Sequence, residues 1–162
     1  MKKYGHVMVV TICVAILITS MIPIEKEYDT IIVGVTGHKY EWGIKVSADN
    51  TVVSGIIFRD IAIGICVWGS NTTIRDCLFI NCSDEGVVIF PTSQGSTIED
   101  CIFIECCDGI ELQQAHNTTI QRCEFIRNWH TGIDIIGEAS YNVSIIDCEF
   151  EDNRMDIFDL QR

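Results

Sequence analysis

Apolar and polar residues alternate along most of this chain in bursts of three to five positions, separated by Gly, Asn, Asp or Ser. Alternation at period two marks half-buried β-strands, and past residue 28 no stretch holds the ten or more positions at 3.6 spacing that a helix needs. The bursts repeat. Asn71-Thr-Thr-Ile-Arg-Asp-Cys-Leu-Phe79 nearly coincides with Asn117-Thr-Thr-Ile-Gln-Arg-Cys-Glu-Phe125. Alignment on the aliphatic residue gives Val53, Ile74, Ile98, Ile120 and Ile145, each followed five positions later by Phe58, Phe79, Phe103, Phe125 and Phe150. A second register runs through Gly64-Ile65-Cys66-Val67, Gly86-Val87-Val88-Ile89, Gly109-Ile110-Glu111-Leu112 and Gly132-Ile133-Asp134-Ile135, with Gly43-Ile44-Lys45-Val46 before them and a degenerate copy at Asp156-Ile157-Phe158.

A period of 21 to 25 residues built from three short strands excludes helical solenoids. Leucine-rich repeats share the length but need a Leu-rich consensus, whereas β-branched residues and Phe dominate here. The pattern resembles the parallel β-helix repeats of the pectate-lyase-like superfamily, whose loose consensus is Asn-x-Thr-Ile, a bend, x-Phe, a second bend, then Gly-Ile-x-Leu. The resemblance covers about residues 28–162 and implies an all-β domain, a right-handed parallel β-helix of about six coils. Each coil supplies one strand to each of three parallel sheets, and stacking at about 4.8 Å places like residue on like. Ile, Phe and Ile/Leu therefore form inward ladders that fill the lumen, and stability is a nearest-neighbour sum with the ends weakest.

Eight of the nine cysteines fall in these repeats. Cys77, Cys101, Cys123 and Cys148 share one bend position; Cys82 and Cys106 share another, continued by Asn128 and Asn153. Related β-helices place stacked Asn at such bends, so these Cys and Asn residues are structural candidates, the Cys as small buried substitutes. Disulfides are the rival reading for an exported protein, although stacked ladder residues have parallel rather than convergent Cβ vectors. Cys82, Cys106 and Cys107 do not surround a metal, because soft ligands in one column lie on one side of it. Cys66 and Cys107 fall outside the ladders.

Residues 1–27 have a different character. Lys2 and Lys3 precede an apolar run from Val7 to Ile24 of 18 residues without a charge. This predicts a hydrophobic helix serving as an export signal or membrane anchor, with the remainder extracytoplasmic, at the cell surface or secreted. Without Lys2 and Lys3, nine basic groups face 23 acidic ones, a net charge of −14. That excess argues against nucleic acid and suits cations, neutral glycans or basic proteins. Asn71, Asn81, Asn117 and Asn142 head Asn-x-Ser/Thr triplets, and three of them stand at the repeat's own turn position.

Candidate chemistry centres on the x position of Gly-Ile-x-Leu, which points away from the lumen and reads Lys45, Cys66, Val88, Glu111, Asp134. Carboxylates on neighbouring coils suit an acid/base pair or a shared Ca²⁺ ion. In pectate lyases and related hydrolases this face carries the catalytic acids, so the resemblance implies Glu111 and Asp134 as candidate catalytic residues, with Asp108, Arg127 and His130 as candidate binding residues. The connections Gln113–Thr119 and Gly137–Ser144 are too short to wall a cleft, and the motifs of polysaccharide hydrolases and alginate epimerases are absent. The expectation is a non-catalytic module, without a required cofactor, presenting an exposed acidic face to polysaccharide, cell envelope or protein. A small lyase, hydrolase or epimerase is the alternative, as is similarity to NosD-type periplasmic copper-enzyme maturation proteins. The final Ile157-Phe158-Asp159-Leu160 lacks an amphipathic cap, which predicts either homo-oligomeric or end-to-end stacking or a fragment of a longer β-helix.

Overall fold

The computed structural model describes residues 8–10, 30–33, 42–137 and 140–160, and in it the repeats wind into a β-solenoid. The strands β1 (Met8–Val10), β2 (Thr30–Val33) and β3 (Trp42–Val46) come first. Five triplets follow: β4 (Val52–Ser54), β5 (Ile56–Arg59) and β6 (Ile63–Val67); β7 (Thr73–Arg75), β8 (Leu78–Ile80) and β9 (Glu85–Ile89); β10 (Thr97–Glu99), β11 (Ile102–Ile104) and β12 (Asp108–Gln113); β13 (Thr119–Gln121), β14 (Glu124–Ile126) and β15 (Thr131–Ile136); β16 (Ser144–Ile146), β17 (Glu149–Glu151) and β18 (Met155–Asp159). The first strand of each triplet enters sheet C, the second sheet A and the third sheet B. Every pairing is parallel except β1 with β2, at the edge of sheet A. The expected six coils appear as five complete ones plus a partial first coil made of β2 and β3.

Met8–Val10 is the described part of the N-terminal apolar run. The rest of that run, and with it the expected helix, lies outside the described residues. Among the described residues no helix is long and apolar enough to cross a membrane.

Like stacks on like throughout the lumen. Phe58, Phe79, Phe103, Phe125 and Phe150 form one column with successive centroid distances of 4.9, 4.7, 5.0 and 5.1 Å and nearly parallel rings. That spacing is the strand repeat itself, so sheet pairing brings the rings into stacking contact without further adjustment. Opposite each ring stands the repeat's glycine. A Cβ on Gly109 would lie 2.5 Å from the Gly132 carbonyl oxygen and 2.7 Å from the Phe125 ring, so the close approach of sheet B to the Phe column requires glycine there. Ile74, Ile98 and Ile120 from sheet C and Ile65, Val87, Ile110 and Ile133 from sheet B complete a dry core.

Single residues at positive φ make the corners. Asn71, Asn117 and Asn142 occupy one such column at φ 54, 53 and 55°, and Asp60, Asn81, Glu105, Arg127 and Asp152 another. Asn and Asp tolerate this left-handed region best, which explains why the repeat favours them. Their side chains also link coils: Asn142 donates to Asn117 at 2.8 Å and Asn81 to Asp60 at 2.7 Å. All four Asn-x-Ser/Thr asparagines are thus turn residues, three of them in one column and Asn81 in the other.

The cysteine columns line the lumen as free thiols. Cys101, Cys123 and Cys148 each donate to the carbonyl two residues earlier, at 3.2, 3.4 and 3.5 Å. Burial pushes the Cys101 thiol up. Asn128 and Asn153 continue the second column: the Cys106 amide donates to Asn128 Oδ1 at 3.0 Å, and the Asn128 amide to Asn153 Oδ1 at 2.9 Å.

The outer surfaces of the three sheets diverge. Ile57, Leu78, Ile102, Ile104 and Ile126, with Ile80 against them, flank the Phe column on the side of sheet A away from the lumen and form a second apolar cluster. Sheet C is polar outside, with Arg122 bridging Glu99 and Asp100 at 2.8 Å each. The acidic character expected of one flat face is therefore distributed over corners, sheet C and part of sheet B.

Candidate functional site

Register assembles a cluster of acids on the outer side of sheet B. Asp108 pairs with Glu85 on the coil before and Thr131 on the coil after, while Glu111 pairs with Asp134. Two adjacent columns thus carry Glu85, Asp108, Glu111 and Asp134 across three coils. Asp108 Oδ1 accepts the Thr131 amide at 2.9 Å and the Thr131 hydroxyl, and His130 Nδ1 stands 2.9 Å from the same oxygen. Thr131 therefore fixes the Asp108 carboxylate from the neighbouring coil, and Asp108 fixes the imidazole. Gln113 donates to Glu111 Oε1 at 2.5 Å. Interaction between Glu85 and Glu111 favours the protonated form of Glu85 and the ionised form of Glu111.

This face is not the exposed one expected from the alternation. Cys66, Val88 and Asp134 are only 0, 2 and 6% exposed, and Glu111 is half-buried; Lys45 alone of the column is exposed. Turning away from the lumen does not guarantee solvent, because a side chain on a flat parallel sheet is hemmed in by the coils on both sides. Burial, followed by the negative charges of Asp84, Glu111 and Asp108, pushes Glu85 up to about 8. Burial and then Asp108 and Glu111 push Asp134 up to about 6, against an opposing pull from His130. Burial also raises Glu111. The Cys66 thiol is pushed up to about 12, chiefly by burial, which keeps it protonated and unreactive.

Of the residues expected to act together, Asp108, Glu111, His130 and Asp134 meet. Arg127 does not: it occupies a corner at φ 50° and pairs with Glu105 at 3.1 Å on the surface. His116, which lies outside this group, stacks on Tyr141 at 4.0 Å between ring centroids. Glu85 was missed by the sequence reading. Its signal was its place one residue before the repeat glycine, the same position as Asp108.

An aromatic ladder approaches this cluster from the first coils. Trp68 stacks on Phe90 with centroids 4.3 Å apart and planes 8° from parallel, Trp42 lies 5.8 Å from Trp68, and the Lys45 ammonium sits 4.4 Å over the Trp68 ring. Trp68 and Phe90 directly follow the inward residues Val67 and Ile89, which places the ladder on the outer side, beside the column of Lys45 and Glu111. Trp42 is 42% exposed. A recess of about 880 Å³ opens elsewhere, at the last coil, lined by Ile135, Tyr141, Val143, Ile145, Ile157 and Phe158.

No curated protein matches the chain. A family model described as the right-handed β-helix region matches residues 22–161. That span includes every complete coil, its phenylalanine ladder and the acidic face of sheet B, and the chain therefore belongs to the right-handed β-helix family.

Proposed function

We propose that this protein is an exported β-helix module that binds a neutral glycan along the outer side of sheet B and does not cleave it. The observation that carries the reading is the continuity of aromatic rings with carboxyl groups on one face. Trp42, Trp68 and Phe90 offer apolar platforms on which the C–H faces of sugar rings stack, and Glu85, Glu111, Gln113 and Asp134 follow on the next coils as partners for hydroxyl groups. The acidic excess of the domain selects against anionic polymers. Glu111 is engaged by Gln113 and interacts with Glu85, and the connections are too short to enclose a substrate, which supports binding over catalysis. Export rests on Lys2, Lys3 and the apolar run after them.

Co-sedimentation with insoluble neutral polysaccharides tests binding: retention of the wild type and loss of retention by Trp68→Ala is the expected result. Alkaline phosphatase fused after Arg162 tests export, since the enzyme is active only outside the cytoplasm. The raised carboxyl groups favour one second reading, a small lyase or hydrolase using Glu111 and Asp134. Depolymerisation of a polysaccharide by the wild type, abolished in Glu111→Gln, would establish that reading instead.

A further inference from the structure

Among the described residues, Asp108, His130 and Asp134 each offer a ligand atom, and all three atoms lie within 4.8 Å of one another. Clustered acids alone do not make a metal site. Two further observations set this group apart. Asp134 is only 6% exposed, and among the described residues nothing donates a hydrogen bond to its buried Oδ1. A carboxylate oxygen held from water without a donor is costly, and a cation is the partner that relieves it most fully. A carboxylate oxygen of Asp134 lies within 4.8 Å of the ligand atoms of Asp108 and His130.

The second observation is that the other two ligands are already held in place. The backbone amide and hydroxyl of Thr131 grip Asp108, and His130 Nδ1 already stands 2.9 Å from Asp108 Oδ1, a contact that an ion replaces once that nitrogen is unprotonated. Metal-ligating groups are ordinarily held by such supporting hydrogen bonds. Around an ion with bonds of about 2.1 Å, two ligand atoms stand roughly 3 to 4.2 Å apart, according to the angle between them. The 2.9 Å between His130 Nδ1 and Asp108 Oδ1 matches adjacent ligands, so closing the third around an ion needs only a small side-chain movement.

We infer that Asp108, His130 and Asp134 bind one divalent first-row transition ion of the Mn²⁺ or Zn²⁺ class on the outer side of sheet B. One imidazole nitrogen with two carboxylates suits these ions, whereas Ca²⁺ takes six to eight oxygens. The ligand set joins coils four and five through β12 and β15, so the ion also clamps two turns of the solenoid together. Glu111, paired in register with Asp134, stands beside the site and reinforces its negative potential. The inference does not depend on glycan binding, because its test uses the metal alone.

The test is a titration of the purified full-length chain with Mn²⁺, followed by loss of the electron paramagnetic resonance signal of the free aqua ion. Mn²⁺ prefers oxygen and nitrogen, which separates this site from the thiols. The expected result is one equivalent bound per chain, weakened at least tenfold by both Asp134→Asn and His130→Gln and unaffected by alkylation of the partly exposed Cys107. Because Asp134→Asn removes a buried charge without a donor, that variant should fold and melt higher than wild type without metal, while losing the rise in melting temperature that Mn²⁺ gives wild type. Ca²⁺ should compete at least tenfold more weakly than Zn²⁺. Absence of saturable Mn²⁺ binding, binding unchanged in both variants, or binding lost on alkylation of Cys107 would each overturn the assignment.

Discussion

The two sides of sheet B lie on the same strands yet follow different rules. On the lumen side, Ile65, Val87, Ile110 and Ile133 repeat one shape, and Val67, Ile89, Leu112 and Ile135 another, coil after coil. On the outer side the same strands present Lys45, Cys66, Val88, Glu111 and Asp134, an ammonium, a thiol, an aliphatic group and two carboxyls in one column. A buried column must fill a fixed gap between coils, so like on like is the only solution that stacks indefinitely. The outer column fills no lumen, so it accommodates residues of different size and charge even where neighbouring coils cover them. Departures from the repeat are therefore tolerated on the outer face and costly on the inner one.

The largest expected effect breaks the inner side. Phe103→Ala removes the middle ring of a stacked column and leaves a cavity that neighbouring coils cannot collapse into, at a cost of about 3–5 kcal/mol. Gly109→Ala should be comparably severe, since its Cβ meets backbone of the next coil rather than a movable side chain. Urea unfolding of both variants would show it. Outer-side changes should separate from these by leaving the fold intact. Trp68→Ala is expected to weaken oligosaccharide affinity about tenfold, or about 1.4 kcal/mol, with a smaller loss of stability than Phe103→Ala.

Asp134 sharpens the comparison through pH. Its carboxyl titrates at about 6 in the fold, against about 3.9 in an unfolded chain, so ionising it opposes folding. This component of stability is fully present below about pH 4 and is lost as pH rises through about 6. Glu85 extends the same loss to about pH 8. Asp134→Asn should therefore raise the apo-protein's stability at pH 7 by about 1 kcal/mol and change little at pH 4, as thermal melts at the two pH values would report.

The smallest effect lies at the corners. Arg127 sits at φ 50° with only an exposed ion pair to Glu105 in return, so Arg127→Asn should stabilise the coil by about 0.5 kcal/mol, measurable by thermal unfolding.

The inner ladders were legible in the sequence because each inward position repeats at a fixed offset, and the Phe, Ile and Gly columns could be aligned by eye. The Cys and Asn bends were legible for the same reason. The pairing of Glu111 with Asp134 followed directly from that alignment. Arg127 was misleading, because proximity in the chain to His130 says nothing about which side of a corner a residue faces. Glu85 was not legible because the Gly-Ile-x-Leu repeat marks the outward position after its Ile and leaves the one before its Gly unmarked. The apolar exterior of sheet A was hidden for a related reason: in Leu78-Phe79-Ile80 and Ile102-Phe103-Ile104 the inward Phe masks two flanking residues that must point the other way. Burial of Asp134 could not be read from alternation, which gives direction but not coverage.

The central claim is that the outer side of sheet B, from Trp42 to Asp134, is a single glycan-binding track. Tryptophan fluorescence of the full-length chain, titrated with neutral oligosaccharides of increasing length, tests it most directly. The account predicts a saturable change whose affinity rises with chain length until the track is filled, then levels off, and which is lost in Trp68→Ala. No saturable change with any neutral oligosaccharide, or a change retained undiminished in Trp68→Ala, would contradict it.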